Sequence, residues 1–146
     1  SRGQVQAANQ AQASTSERGM SDARGVVLDA GAFIALERRN RSMVKLAQLF
    51  ADARTPLVTS AGVVAQVWRG GGQRQVPLAF LLRRTTVVDI THSVARALGR
   101  ILGTSGTSDP VDAHIVLLAR ERDWPVLTSD ARDLLAIDPT LQLERV

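Results

Sequence analysis

Short apolar runs alternate with longer helix-favouring segments from residue 25 to residue 146. The runs are strand-sized and rich in Val, Leu and Ile, which is typical of strands buried on both faces of a sheet. Strands are predicted at 26–28, 57–59, 86–90, 125–128 and 141–146. Helices are predicted at 32–39, 42–53, 61–69, 77–84, 91–102, 110–122 and 131–136, with Gly103 placed to end the fifth of them. Strands alternating with helices predict an α/β protein with a mostly parallel sheet covered on both faces.

The first 24 residues have a different composition. They are rich in Gln, Ala, Ser and Gly and almost lack large apolar side chains. Such a segment cannot bury enough apolar surface to order itself. We therefore expect residues 1–24 to be a disordered tail or a remnant of an expression vector, and residues 25–146 to form one domain.

Composition excludes several kinds of site. The chain has no cysteine and two histidines, which excludes disulfides and thiolate zinc sites. It shows no signal-peptide pattern and no apolar run long enough for a bilayer, so we expect a cytoplasmic protein without membrane association. Neither a dinucleotide-binding glycine motif nor a P-loop is present. The net charge of +4, carried almost entirely by arginine, is compatible with a nucleic-acid partner.

Acidic residues fall where the predicted strands end. Asp29 directly follows the first strand, and Asp130 follows the fourth after one residue. Asp109 and Asp112 open the helix that leads into the fourth strand. Because the carboxyl ends of parallel strands share one edge, these four carboxylates are directed to the same place. Clustered carboxylates repel one another, and Mg²⁺ or Mn²⁺, which prefer hard oxygen ligands, would remove that penalty.

Some of these residues also have a structural interpretation. Asp109 and Asp112 suit a helix start, as N-cap and as a first-turn acid beside the macrodipole. Asp133 is assigned to structure or solvent, and His114 to core packing or the surface rather than to catalysis. The two tryptophans, Trp68 and Trp124, are expected as core or interface anchors, and no aromatic platform for stacking bases is expected.

Three segments resemble the motifs of PIN-domain toxins, in the same order and spacing. They are 27–35 (VLDAGAFIA), 112–116 (DAHIV) and 126–130 (VLTSD). The resemblance covers about residues 25–146. It implies a three-layer α/β/α sandwich and an Mg²⁺- or Mn²⁺-dependent endoribonuclease of the VapC kind. It also implies a homodimer, which is frequent in this family, and a cognate antitoxin protein that blocks the site.

The same resemblance implies roles for the acids. Asp29 and Asp112 would be the principal metal ligands, Asp130 would complete the set, and Asp109 would support it as a further catalytic acid or as a cap. PIN nucleases usually carry a Glu in the helix after the second strand, where this chain has Gln66. An uncharged amide lowers the negative charge of the site, which predicts weaker metal binding. Glu37 could take the place of the missing Glu, but it lies eight residues after Asp29, roughly 12 Å along the helix, so direct binding of the same ion is not expected.

Two alternatives remain beside the RNA-cleaving toxin. Gln66 favours a PIN-like module that binds RNA or protein without catalysis. A receiver-like switch also gathers acids at the carboxyl edge of its sheet, but it requires a lysine late in the chain. The only lysine here is Lys45, which places that alternative last.

Overall fold

The computed structural model describes residues 24–146. Five short strands form one parallel sheet in the order β3-β2-β1-β4-β5. The strands are β1 (Val26–Leu28), β2 (Leu57–Ser60), β3 (Thr86–Val88), β4 (Val126–Thr128) and β5 (Leu143–Arg145). The predicted tail lies outside the described residues except for Arg24, whose guanidinium donates to the carbonyl of Asp123.

Helices connect every pair of successive strands. They are α1 (Ala30–Glu37), α2 (Arg41–Ala53), α3 (Ala61–Val67), α4 (Val76–Arg83), α5 (His92–Ser105), α6 (Pro110–Arg122) and α7 (Arg132–Ile137), with a 3-10 turn at Gln73–Gln75. Helices α1 to α4 pack on one another and reach the sheet through α1 and α3, while α5 and α7 pack on α6, which lies on β1 and β2. The predicted α/β/α sandwich is therefore confirmed, with every strand pair parallel.

The core forms where apolar strands meet apolar helix faces. The three residues of β1 and of β4 are completely or almost completely buried, as expected for the central strands of such a sheet. Phe33 of α1 and Ile115 of α6 are fully buried against them. By contrast, two of the three residues of β3, at the sheet edge, are exposed. None of the helices within residues 24–146 is long and apolar enough to cross a membrane.

Several predicted boundaries shift for local reasons. Helix α1 begins two residues early because Asp29 caps it, and α3 ends at Val67 because Trp68 is extended. The prediction that Gly103 ends its helix is wrong. Gly103 lies within α5, and Gly106, with a φ of 74°, provides the left-handed C-cap instead.

Candidate metal centre at the carboxyl edge of the sheet

Asp29 lies where β1 passes into α1. Its backbone N–H donates to the carbonyl of Leu127, so the ladder between β1 and β4 fixes its position. One carboxylate oxygen accepts from the N–H of Ala30 at 2.8 Å, and the other accepts from the hydroxyl of Thr128 at 2.9 Å. Both carboxylate oxygens are thus oriented by the chain itself.

Thr128 joins Asp29 to Asp130. Its side chain is buried at the end of β4, donates to the Asp29 carboxylate and accepts from the N–H of Asp130 at 3.1 Å. The Asp130 carboxylate in turn accepts from the N–H of Arg132. Close packing of α1 on this turn depends on Gly31, because a Cβ there would overlap Ser129.

The second pair of acids stands on the first turn of α6. Asp109 is its N-cap, and one of its carboxylate oxygens accepts from the N–H of Val111 at 2.8 Å and from that of Asp112 at 3.3 Å. Pro110 follows as the first helical residue, where its missing N–H costs nothing. The capping role predicted for Asp109 is therefore present, and it leaves the half-buried Asp112 carboxylate in the first turn without a capping task.

The acids influence one another electrostatically. The pKa of Asp112 is raised to about 7, mainly by burial and also by the negative charges of Asp109, Asp29, Asp133 and Asp130. Burial also raises the pKa of Asp29, with smaller contributions from Asp109 and Asp130, against the hydrogen bonds from Ala30 and Thr128 that lower it. The sheet edge and α6 therefore bring all four predicted acids close enough for their charges to affect one another's pKa.

Asp133 joins this group, although the sequence assigned it to structure or solvent. It lines a small cavity of about 230 Å³ together with Asp109 and Asp112. The sequence could not indicate that Asp133 lies near the other acids, because the direction of the short helix α7 is set by how it packs. Within residues 24–146, however, no three acidic or histidine side chains already converge closely enough to form a ready metal-binding group.

A comparison with protein-family models identifies the fold that carries this edge. The model described as the PIN domain matches residues 26–138, which is most of the chain. The chain belongs to the PIN-domain family. A comparison with curated proteins finds no match.

Two solved structures share this PIN fold. VapBC2 from Rickettsia felis, solved bound to a DNA fragment from its promoter, is 19% identical with a TM-score of 0.62, covering 83% of this chain and 98% of that one. PAE2754 from Pyrobaculum aerophilum is 15% identical with a TM-score of 0.61, covering 91% and 92% of the two chains. At this identity the likeness concerns the fold.

Gln66 stands where the resemblance to PIN nucleases led us to expect a Glu. It is exposed on α3, one turn beyond Gly62 and on the same side of that helix. A Cβ at Gly62 would press on Val111 in the first turn of α6. The face of α3 that bears Gln66 therefore begins beside the acids of α6.

Two other candidate residues of the PIN domain are engaged elsewhere. Glu37, at the far end of α1, accepts from the amide of Gln75 at 3.3 Å and lies 3.7 Å from Arg74. His114 is buried, as expected, and its Nδ1 shares a hydrogen bond of 2.6 Å with the hydroxyl of Ser60. The described contacts therefore give Glu37 and His114 structural partners.

Proposed function

We propose that this PIN domain is a divalent-metal-dependent endoribonuclease and acts as the toxin of a toxin–antitoxin pair in the cytoplasm. The observation that carries the proposal is the gathering of carboxylates at the carboxyl edge of the sheet. Thr128 holds Asp29 and Asp130 there, and Asp112 lines a small cavity together with Asp109 and Asp133. Perturbed carboxylates gathered at the carboxyl edge of a parallel sheet are characteristic of functional sites.

The donor set fits a hard divalent cation. Asp29, Asp112 and Asp130 would hold Mg²⁺ or Mn²⁺ through carboxylate oxygens, with Asp109 in support. Their mutual repulsion is the cost that a cation would relieve. Because the side chains do not converge beforehand in the described residues, we expect them to close on the ion as it binds.

The bound ion would supply a nucleophilic hydroxide from water and stabilise the charge developing on the phosphodiester. The residues of the chain hold the site in place. Thr128 and the N–H of Ala30 fix both oxygens of Asp29, and Asp109 fixes the first turn of α6 beneath Asp112. These hydrogen bonds reduce the reorganisation needed when substrate binds.

The proposal is tested by titrating Mn²⁺ and Mg²⁺ into an RNA-cleavage assay with wild type, Asp29→Asn and Asp112→Asn. Each variant should lower cleavage by on the order of 100-fold and weaken metal binding measured by calorimetry. Asp52→Asn is the matched control. It removes the same charge from an exposed position on α2, where Gln48 donates a hydrogen bond to it, and should behave as wild type.

Wild-type rates of cleavage in Asp29→Asn would contradict the catalytic assignment. The second candidate function, an RNA- or protein-binding module without catalysis, is favoured by the uncharged and exposed Gln66. That module would bind RNA with no metal-dependent cleavage in any variant.

The toxin assignment implies an antitoxin, and the structure offers a surface for it. Helices α1, α2 and α4 enclose an apolar groove of about 620 Å³, into which Val44 and Phe80 are exposed. Arg39 and Arg84 stand among the lining residues, which include no acid. We propose that an amphipathic antitoxin helix lies here, with acidic side chains meeting the two arginines.

The partner to test is the product of the neighbouring upstream reading frame, if that frame encodes a small DNA-binding protein. Co-expressed with this chain, it should form a stable complex that inhibits cleavage. Phe80→Asp should abolish the complex, whereas Leu135→Asp, at an exposed apolar residue of α7, should not. A complex unaffected by Phe80→Asp would place the antitoxin on another surface.

A homodimer also remains a prediction, to be checked by sedimentation.

A further inference from the structure

The loop after α3 has a composition unlike the acidic edge. From residue 53 to residue 88 the chain contains five arginines and no Asp or Glu. Two of the arginines, Arg69 and Arg74, belong to the loop 68–75, which follows α3 directly. Since α3 starts at the carboxyl edge and spans seven residues, this loop lies roughly 10 Å along the helix from the acids.

The loop is built around one buried amide. The side chain of Gln75 is almost completely buried. Its oxygen accepts from the N–H groups of Arg69 and Gly71, at 2.8 and 3.1 Å, and its nitrogen donates to the carbonyl of Val67 and to Glu37. A fully bonded buried amide fixes the backbone of the loop without help from a ligand.

Trp68 is presented at the start of this loop. The residue is 38% exposed, so of the two roles expected for it, core or interface anchor, the core role does not apply and the interface role stays a prediction. Its ring lies against Gly71, which has a φ of +75°, and a Cβ at that position would come within 2.5 Å of the ring. Glycine thus lets the indole rest on the backbone while part of the ring stays in contact with solvent.

The same loop carries cationic groups and lines a cleft. A cleft of about 340 Å³ is lined by Arg69, Arg74, Gln73 and Gly72, with Glu37 as its one acid. One terminal nitrogen of Arg69 is anchored on the carbonyls of Trp68 and Ala65. The Arg74 side chain is 86% exposed, and its guanidinium lies 3.7 Å from the Glu37 carboxylate. Arginines and an exposed indole on the same loop are groups that bind a nucleic-acid strand, by phosphate contacts and by base stacking respectively.

We propose that the loop 68–75 is a binding subsite for single-stranded RNA, in which Trp68 stacks on one base and Arg69 and Arg74 bind the neighbouring phosphates. The inference rests on the proposed function and deepens it. The subsite would hold unpaired RNA roughly 10 Å from the acidic edge, the length of α3, so that a strand running along this helix reaches the candidate metal centre. Stacking does not require a particular base, since every base has a π-face.

The chain provides its own reporter for the test. Trp68 and Trp124 are the only tryptophans, and Trp124 is packed against the core. In a Trp124→Phe protein, indole fluorescence therefore reports on Trp68 alone. With EDTA present to prevent cleavage, a single-stranded RNA hexamer should quench this fluorescence saturably, and a fully paired RNA hairpin should quench it much less.

Variants of the loop should change binding in different ways. By anisotropy of a labelled hexamer, Trp68→Ala should weaken binding roughly 5- to 150-fold, the range expected for one stacked base, and Trp68→Phe should restore most of it. Arg69→Gln/Arg74→Gln should weaken binding and reduce the slope of log affinity against log salt by about 1.4. Arg96→Gln/Arg100→Gln, which removes equal charge from exposed positions on α5, is the control. Melting curves verify that each variant is folded.

Two results would overturn the subsite, and they differ from failure of the proposed function. Hexamer binding unchanged in Trp68→Ala and in the loop arginine variant, while metal-dependent cleavage persists, would place RNA elsewhere but leave the nuclease standing. Trp68 fluorescence that changes with protein concentration and not with RNA would make the loop a contact between protein chains. Absence of metal-dependent cleavage, with hexamer binding that depends on Trp68, would instead support the subsite and contradict the nuclease.

Discussion

At the scale of the residue, the candidate site is a set of carboxylates that the fold holds together against their repulsion. The sequence predicted four of them, because the carboxyl ends of parallel strands lie at one edge of the sheet whatever the conformation of the loops. It did not predict Asp133, whose place depends on how α7 packs. It also left open whether Trp68 lies in the core or at an interface, because its exposure follows from Gly71 and from the hydrogen bonds of Gln75.

Asp112 should make the metal-free protein less stable as pH rises. Its pKa of about 7 in the folded state lies above the ordinary value of 3.8. The folded state therefore holds the proton more tightly, and stability falls between about pH 4 and pH 7. Thermal melts in EDTA should show wild type losing stability relative to Asp112→Asn over this range. Parallel pH profiles for the two proteins would contradict the electrostatic description of the site.

Gln66→Glu should strengthen metal binding if the exposed face of α3 contributes to the centre. An added carboxylate increases attraction for the cation, and the apparent Mn²⁺ affinity should rise on the order of tenfold. The half-maximal metal concentration for RNA cleavage should fall accordingly. Gln142→Glu adds the same charge at an exposed position just before β5 and should change neither value. Equal metal dependence in wild type and Gln66→Glu would place residue 66 outside the centre.

At the scale of the element, the sequence predicted the strands and helices better than their ends. The alternation of apolar runs is a property of many residues, whereas a helix end depends on one cap. Gly103 illustrates the difference, because a glycine ends a helix only where the backbone adopts the left-handed conformation, as Gly106 does. The 3-10 turn before α4 carried no periodic signal at all.

Gly31→Ala should disturb the contact between α1 and the turn after β4. A Cβ at Gly31 would overlap Ser129, and relieving that overlap should cost about 1–3 kcal/mol of stability. Moving α1 would also displace Asp29, so metal affinity should fall. Gly99→Ala is the matched control, since nothing lies near its Cβ position on α5, and it should stabilise by about 0.5–1 kcal/mol. Denaturant unfolding of both variants measures the difference.

At the scale of the whole molecule, the fold class was predictable because burial on both faces of the sheet leaves few topologies for alternating strands and helices. The groove between α1, α2 and α4 was not predictable. Its walls come from the consecutive helices α1 and α2 and from α4, which lies beyond β2 and α3 in the sequence. Apolar residues such as Phe80 also look identical in the sequence whether they face the core or solvent. Exposure of this kind becomes visible only once the helices are packed.

Asp138 should contribute to global stability and to its loss in acid. The residue is buried, and hydrogen bonds from Thr140 and Arg120 lower its pKa to about 2. Its contribution, roughly 2 kcal/mol, is complete above the ordinary pKa of 3.8 and is lost as pH falls towards 2. Asp138→Asn should therefore destabilise the protein at pH 7 and flatten acid unfolding. Asp123→Asn, which removes an exposed partner of Arg24, should leave both nearly unchanged.

The pairing of β1 with β4 has a consequence for when the candidate site can form during synthesis. The ladder joins residues about 100 positions apart, and it places Asp29 beside Thr128 and Asp130. A chain still under synthesis cannot close this ladder before β4 has emerged from the ribosome. Under the proposed function, a nascent chain that lacks β4 has no assembled site and cannot cleave RNA. A partner translated beforehand could therefore already be present when the site forms.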